Sequence, residues 1–344
     1  MYSMPRPASN PANRFHRATL EWDEPPPAEL EVYEERAKSI LSRNDSPDVG
    51  FEHSVNPYRG CFHACAYCYA RPTHPYLDFG AGTDFDRKIV VKTNAPELLA
   101  TELGRPGWKG GTIAFSGNTD CYQPLEARYG LTRRCLEVCL DYRNPVTVIT
   151  KGLAIRRDVD VLAALAEKAR CRVTLSIPFA NDADARAIEP FASPPSKCFE
   201  TLRILSEAGI RTGVSVSPII PGLNDHQIPE ILERAREAGA THAFCILLRL
   251  PREVLPIFDE RLEEAFPLRA EKVRHALAEM RGGARNESAF GERMRGKGVR
   301  WQLVERLFES QAKRLGFGPG VEDEGEPPTT FRRPTPQLGL FDER

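Results

Sequence analysis

Between about residue 50 and residue 265 the chain repeats one alternation, and no other feature restricts its fold so strongly. Short β-branched or apolar runs ("GTIAFSG", "PVTVITKG", "CRVTLSIPF", "IRTGVSVSPII", "HAFCILLRL") alternate with longer amphipathic stretches ("APELLATELG", "LEARYGLTRRCLEVCLDY", "RDVDVLAALAEKA", "SKCFETLRILSEAG", "QIPEILERAREAG"). Strands alternating with helices of this length imply βαβ units and a parallel sheet. Counting "FEHSVNP" as the first strand and "VLPIFDERLEEAF" as the last helix gives six βα units. Six units build a doubly wound sheet or an incomplete (β/α) barrel, and periodicity fits both. Either architecture places chemistry at the C-terminal ends of its strands.

The flanks differ from this core. Residues 1–48 are rich in Pro, Asn, Arg and Glu and predict a mobile arm, with one short helix at "ELEVYEERAKSILS". The repeating core takes 49–270, and a basic helical extension takes 271–315. Within 281–314, nine cations (Arg281, Arg285, Arg293, Arg295, Lys297, Arg300, Arg306, Lys313, Arg314) face four glutamates (Glu287, Glu292, Glu305, Glu309). "WQLVERLFESQAKRLG" has apolar residues at helical spacing and ends in Gly, so it reads as a helix. Residues 316–344, Pro- and Glu-rich, predict a disordered tail.

Composition narrows the class of function. With 41% hydrophobic and 28% charged residues, the 344-residue chain can bury a sizeable core as one large domain or two ordinary ones. A formal charge of −1 gives no global pull toward nucleic acid or membrane, so any such binding must be local. No apolar run approaches the ~18 residues of a membrane span, and "MYSMPRPASNPANRF" lacks an apolar signal core. The expectation is a cytoplasmic protein whose nine cysteines are thiols or metal ligands rather than disulfides.

Three of those cysteines, Cys61, Cys65 and Cys68, lie within "NPYRGCFHACAYCYARPTH" (56–74), directly after the first predicted strand. A structural zinc site wants four closed ligands, commonly from paired CxxC elements. No second CxxC exists: Cys121, Cys171, Cys198 and Cys245 are solitary, and Cys135 and Cys139 sit one helical turn apart. An iron–sulfur cluster fits better, because three thiolates leave one iron open. His63 or His74 completing a Cys3His zinc site is the competing reading.

CxxxCxxC with Tyr67 before the last cysteine, on the loop after a first strand, resembles the radical SAM superfamily over about 50–265. Together with "SGNTDCYQPLE" the segment is similar to the spore photoproduct lyase-related branch, whose uncharacterised bacterial members share these segments. The resemblance implies a partial (β/α)6 TIM-like barrel, a [4Fe–4S] cluster on Cys61, Cys65 and Cys68, and S-adenosylmethionine chelated by the open iron. It also implies reductive cleavage of the sulfonium to a 5′-deoxyadenosyl radical, with electrons from a flavodoxin- or ferredoxin-type donor.

The resemblance also assigns cofactor contacts. Tyr67 is similar in position to an aromatic packed near adenine, or is a core aromatic behind the cluster. "IAFSGNTDCYQPLE" matches the region that holds the methionyl amino group, with Ser116, Gly117, Asn118, Thr119 and Asp120 at a strand end. Its acidic pattern departs from the family's, which leaves Ser116, Thr119 and Asp120 as alternatives, beside a reading of Asn118 and Asp120 as turn formers. Lys151 and Lys197 are placed toward the methionyl carboxylate, Lys151 alternatively as a solvated loop residue, and Ser176 toward the ribose. Cys121 is expected at the barrel mouth, as a hydrogen donor to a product radical or as a packing residue.

The tail segment "QLGLF" resembles the peptide by which bacterial replication and repair proteins dock on the sliding clamp, with Gln337, Leu338, Leu340 and Phe341 as anchors. With the basic 281–314 segment, it points toward DNA as partner and DNA repair as role, with lyase-type chemistry. Two rivals stand beside this reading. One is a radical SAM enzyme acting on a protein or small metabolite, and the other is a zinc-bearing nucleic-acid module without catalysis.

Overall fold

The structure, a computed structural model, describes residues 29–318 and 328–334. Its strands are β1 (Glu31–Glu35), β2 (Leu41–Arg43), β3 (His53–Val55), β4 (Tyr58–Arg59), β5 (Lys88–Lys92), β6 (Ile113–Phe115), β7 (Val146–Thr150), β8 (Cys171–Ser176), β9 (Arg211–Ile219) and β10 (His242–Leu247). The main sheet runs β10-β9-β8-β7-β6-β3-β2 and is open, not closed. Six of these strands, β3 and β6 to β10, are parallel and fall in the six runs expected from the sequence. Val148, Val173, Leu175, Val214, Val216 and Ile219 are fully buried, as in a sheet covered on both faces. The partial six-unit barrel expected from the sequence is therefore present. β2 adds an antiparallel edge beside β3.

Helices cover the sheet: α1 (Thr83–Arg87), α2 (Ala95–Gly104), α3 (Glu126–Tyr129), α4 (Leu131–Asp141), α5 (Val159–Lys168), α6 (Asp182–Ile188), α7 (Pro195–Glu207), α8 (Ile228–Glu237), α9 (Val254–Ala265), α10 (Pro267–Met280) and α11 (Gly298–Arg314). The single helix expected over "LEARYGLTRRCLEVCLDY" is two, because Gly130 turns left-handed (φ +60°) between α3 and α4. None of the described helices is long and apolar enough to cross a membrane.

The predicted helix in "ELEVYEERAKSILS" is corrected by the structure: the segment forms β1 and β2. β1 pairs in parallel with β5, from Glu31 opposite Lys88 to Glu35 opposite Lys92, and β4 pairs with the other side of β5. Helical propensity loses here to a tertiary partner, "KIVVK", which supplies a ladder no local signal announces. The Glu102 carboxylate of α2 then accepts from the Ile40 and Leu41 amides and fixes the turn between β1 and β2.

The C-terminal flank is also more ordered than its composition predicts. Six of the nine cations in 281–314 are engaged within the protein: Arg281 with the Leu247, Leu248 and Arg295 carbonyls, Arg285 with Asp259, Arg293 with Asp48, Lys297 with Glu292, Arg300 with Glu279 and Arg314 with Glu233. Residues 328–334 lie against the N-terminal ends of β6 and β7. Phe331 stacks on Tyr142 with ring centroids 6.0 Å apart. Thr329 donates to the Gly110 carbonyl at 2.6 Å, and the Arg332 amide to the Tyr142 carbonyl at 2.8 Å. A Cβ at Gly110 would stand 2.2 Å from Phe331 Cβ, so glycine is needed beneath the strap. Gln337, Leu338, Leu340 and Phe341 lie outside the described residues.

Because Phe331 is half-buried, its replacement by Ala should cost about 1–2 kcal/mol of unfolding free energy, less than a core Phe. Urea denaturation checks this, and an unchanged midpoint would mean that the strap contributes nothing to stability.

Candidate active site

The segment carrying Cys61, Cys65 and Cys68 leaves β3, forms β4 and turns at Gly60 (φ +78°), where a Cβ would sit 2.9 Å from Phe85 O and His74 Cε1. Fully buried Gln123 clamps the turn: its Oε1 accepts from the Phe62 amide and its Nε2 donates to Gly60 O. Three short turns follow, through Ala64 N to Cys61 O, Cys68 N to Cys65 O and Arg71 N to Cys68 O. They fold the loop back on itself. Arg71, 1% exposed, ties it down from inside. Its guanidinium donates to Cys65 O twice, to Ala81 O and Gly82 O, and pairs with Asp86 at 2.9 Å.

The donor set suits a polynuclear cation. Cys61 and Cys65 are buried and Cys68 is half-buried. Burial, with the charge of Cys61, pushes the Cys68 thiol up to about 12, and burial, with the charge of Glu189, takes Cys65 well above its ordinary value. Thiolates grouped in this way need a positive centre to become charged. Among the described residues no three His, Cys, Asp or Glu side chains converge as a single metal ion would require. A cluster, whose thiolates bind different irons, has no such requirement. His74 Nε2 lies 2.9 Å from Lys88 O. His63 sits 3.5 Å from Asp120, and although burial opposes its charged form, the charges of Cys61 and Asp120 raise it to about 10.

The loop after β6 faces the cysteine loop and is tied to it. Ser116 is left-handed (φ +69°), and its Oγ accepts from the Cys121 amide. A Cβ at Gly117 would meet Ser54 Cβ at 2.9 Å, while Gly117 O accepts from the Tyr69 hydroxyl. The Asn118 amide donates to Asn56 Oδ1, and Thr119 Oγ1 donates to Tyr58 O. Asp120 accepts from Thr150 Oγ1 at 2.6 Å, from the Tyr122 amide at 2.8 Å and from the Lys151 amide at 2.8 Å. Thr119 and Asp120 thus have their side-chain oxygens engaged within the protein.

The next strand ends bring Lys151, Ser176 and Ser217 together. Lys151 Nζ donates to Ser176 O at 3.1 Å and lies 2.9 Å from Glu189 Oε1. Glu189 Oε1 has no hydrogen-bond partner among the described residues. Burial lowers Lys151 and raises Glu189 to about 8. Ser176 Oγ donates to Ser217 O at 3.2 Å, and Ser217 Oγ is buried with no hydrogen-bond partner among the described residues. Tyr67, 9% exposed, packs in the core with its hydroxyl likewise unpartnered.

Two candidates stand away from these positions. Lys197 lies on the outer face of α7, and its Nζ pairs with Glu200 at 3.0 Å beside solvent. Helix α7 begins at Pro195, so its third residue turns outward, away from the strand ends where Lys151 lies. Cys121 is 1% exposed and belongs to the hydrophobic core rather than to an open mouth, because Thr132 of α4 draws its carbonyl inward at 2.7 Å.

Sequence reasoning missed Arg71, Gln123, Glu189, Ser217 and Arg249. Arg71 and Gln123 stand inside the quoted motifs, where a polar residue among buried ones was the available signal. Arg249 follows β10, half-buried, with Nη1 on Met294 Sδ and Nε unpartnered among the described residues. Only tertiary contacts reveal Glu189.

Arg71→Met leaves Asp86 and four carbonyl contacts uncompensated in the interior. It should lower stability by about 3–5 kcal/mol, read by denaturant unfolding; a loss below 1 kcal/mol would remove Arg71 as the loop's anchor. Burial lowers the folded pKa of His74 to about 4, below the ordinary 6.5. Its neutral form is therefore favoured above pH 6.5, and stability is lost as pH falls from 6.5 toward 4. Between pH 7.5 and pH 5 this contribution is about 2 kcal/mol. The loss should be absent from His74→Gln, and equal pH slopes for the two proteins would contradict it.

Residues 55–235, more than half of the chain, match the Radical SAM superfamily. An uncharacterised protein of Mycobacterium tuberculosis is 37% identical over 215 residues, 62% of this chain and 63% of the relative. This chain therefore spans less than two thirds of that relative's length. A Radical SAM Nalpha-GlyT isomerase of Pseudomonas phage M6 is 24% identical over 281 residues, 79% of this chain and 55% of the relative. Spore photoproduct lyase, in a structure complexed with dinucleoside spore photoproduct, shares the fold at a TM-score of 0.58 and 17% identity, over 84% of this chain and 80% of that one. A further structure of that lyase holds bound AdoMet. With its three-cysteine loop at the head of an open six-unit barrel, the chain belongs to the radical SAM superfamily, whose enzymes use a [4Fe–4S] cluster and S-adenosylmethionine.

Proposed function

We propose that this radical SAM enzyme acts on a nucleic acid or nucleotide, with Cys61, Cys65 and Cys68 as the cluster ligands. The observation that carries the ligand assignment is the grouping of three thiols, two buried and one half-buried, on a loop locked by Arg71 and Gln123. The substrate class is supported by the fold shared with spore photoproduct lyase over 84% of the chain. When bound, the cluster and S-adenosylmethionine supply a 5′-deoxyadenosyl radical that abstracts a hydrogen atom.

The chain's own residues bind and orient. Cys61, Cys65 and Cys68 would hold the cluster as thiolates. Ser116, Gly117 and Asn118 present the end of β6 toward the methionyl amino group, and Asp120 fixes that loop. Lys151, held by Glu189 and the Ser176 carbonyl, offers a cation to the methionyl carboxylate; Ser176 stands for the ribose and Tyr67 for the adenine. Arg249, with an unpartnered Nε after the last strand, suits an anionic substrate. A flavodoxin- or ferredoxin-type carrier supplies the electron.

Anaerobic reconstitution should give about four irons and four sulfides per chain. Cys61→Ala, Cys65→Ala or Cys68→Ala should each lose the normal complement, while Cys171→Ala retains it. Reduced enzyme should convert S-adenosylmethionine to methionine and 5′-deoxyadenosine, with label from a deuterated thymidine-containing oligonucleotide entering the latter. Colourless protein with one zinc would replace this reading by the binding module. Label arriving only from peptide or metabolite pools would move the substrate class.

A further inference from the structure

An open cleft of about 430 Å³ lies between the loop after β9 and helices α10 and α11, lined by Gly222, Asp225, His226, Arg269, Lys272 and Arg300. That loop leaves the C-terminal end of β9, so the cleft lies on the same side of the sheet as Ser217 and Arg249. We infer that this cleft is a phosphodiester-binding subsite that holds the backbone of a nucleic-acid substrate beside the strand mouth. The inference rests on the proposed nucleic-acid substrate and names where its backbone is gripped.

Charge within the cleft is the first reason. Arg269 and Lys272 stand one turn apart on α10, both exposed, and neither has an ion-pair partner among the described residues. Their neighbours differ: Arg274 pairs with Asp259, Glu263 and Glu271, Arg285 with Asp259, and Arg300 with Glu279. Asp225 is the one carboxylate in the lining, and it accepts from the His226 amide and stands 3.9 Å from the His226 ring. Two uncompensated cations on a concave surface remain, on a chain whose formal charge is −1. A polyanion is drawn to such a local field rather than to the whole protein.

Shape is the second reason. Arginine offers a planar fork to a phosphate and lysine a point charge, so the pair can take successive phosphates. The atoms nearest a Cβ at Gly222 (φ +78°) belong to the aliphatic stem of Lys272, the first at 3.7 Å, which leaves room for close backbone approach. An enclosed cavity would suit a free small anion, whereas this cleft is open to solvent and leaves room for a chain to continue beyond it.

The test uses full-length, cluster-loaded protein and fluorescence anisotropy with labelled single- and double-stranded oligonucleotides at a series of salt concentrations. Arg269→Glu/Lys272→Glu should weaken binding about tenfold or more, and removal of two phosphate contacts should reduce the salt slope by about two. The matched control, Arg36→Glu/Lys38→Glu on exposed positions between β1 and β2, should leave both unchanged. If the double Glu variant unfolds, judged by circular dichroism, Arg269→Gln/Lys272→Gln replaces it with the same expected direction. Equal affinity and slope for the cleft variant and wild type would overturn the inference, as would no oligonucleotide binding by wild type. Calorimetric titration with inorganic phosphate separates the sources. Tight phosphate binding with oligonucleotide binding unaffected by the variant makes the cleft a small-anion site and also overturns the proposal. Failure to form 5′-deoxyadenosine would sink the proposed reaction while leaving this binding result standing.

Discussion

One partly buried carboxylate, Asp120, joins the three pieces from which the candidate site is made. Its oxygens accept from the end of β7 through Thr150 and the Lys151 amide, from its own turn through the Tyr122 amide, and face His63 of the cysteine loop. Burial works against its charge, yet His63 and these donors hold its carboxyl below the usual carboxylate range. A carboxylate satisfied from several directions can stay ionised in the interior, where a half-satisfied one would not. Strand ends that would otherwise be independent loop anchors therefore share one reference point.

The cysteine loop shows the same logic with the opposite charge. Arg71 is spent on carbonyls from Cys65, Ala81 and Gly82 as well as on Asp86, so a single guanidinium satisfies backbone that neither helix nor strand can pair. Irregular backbone is unavoidable when three cysteines must point inward within eight residues. A rigid fork of donors is the group best matched to that problem.

How much was legible in the sequence follows from the range of the forces involved. Five of the six parallel strands were readable as short apolar or β-branched runs such as "VTVIT", and "FEHSVNP" was counted as the first. The three cysteines were readable because their spacing is local. β1 was misread because its strand state depends on β5, more than fifty residues away. Lys197 was misplaced because sequence position near a functional segment does not fix which face of α7 a side chain takes. Glu189 was invisible because a lone glutamate at the end of α6 looks like any solvated residue until the fold buries it beside Lys151. Likewise, the basic run in 281–314 reads as a charged surface, whereas most of its cations have specific partners brought from distant parts of the chain.

The strap of residues 328–334 has a geometric consequence. It fastens the chain at Gly110 and Tyr142, ahead of β6 and β7, whereas Ser176 ends β8 and Lys151 and Arg249 lie past the ends of their strands. Residue 334 is thus held at the opposite pole of the sheet from the proposed chemistry. A fluorophore, affinity handle or surface tether joined beyond that point would begin its path behind the enzyme. The substrate approach would stay clear at the attachment point, and the strap's own contacts would take the pull before it reached the cysteine loop.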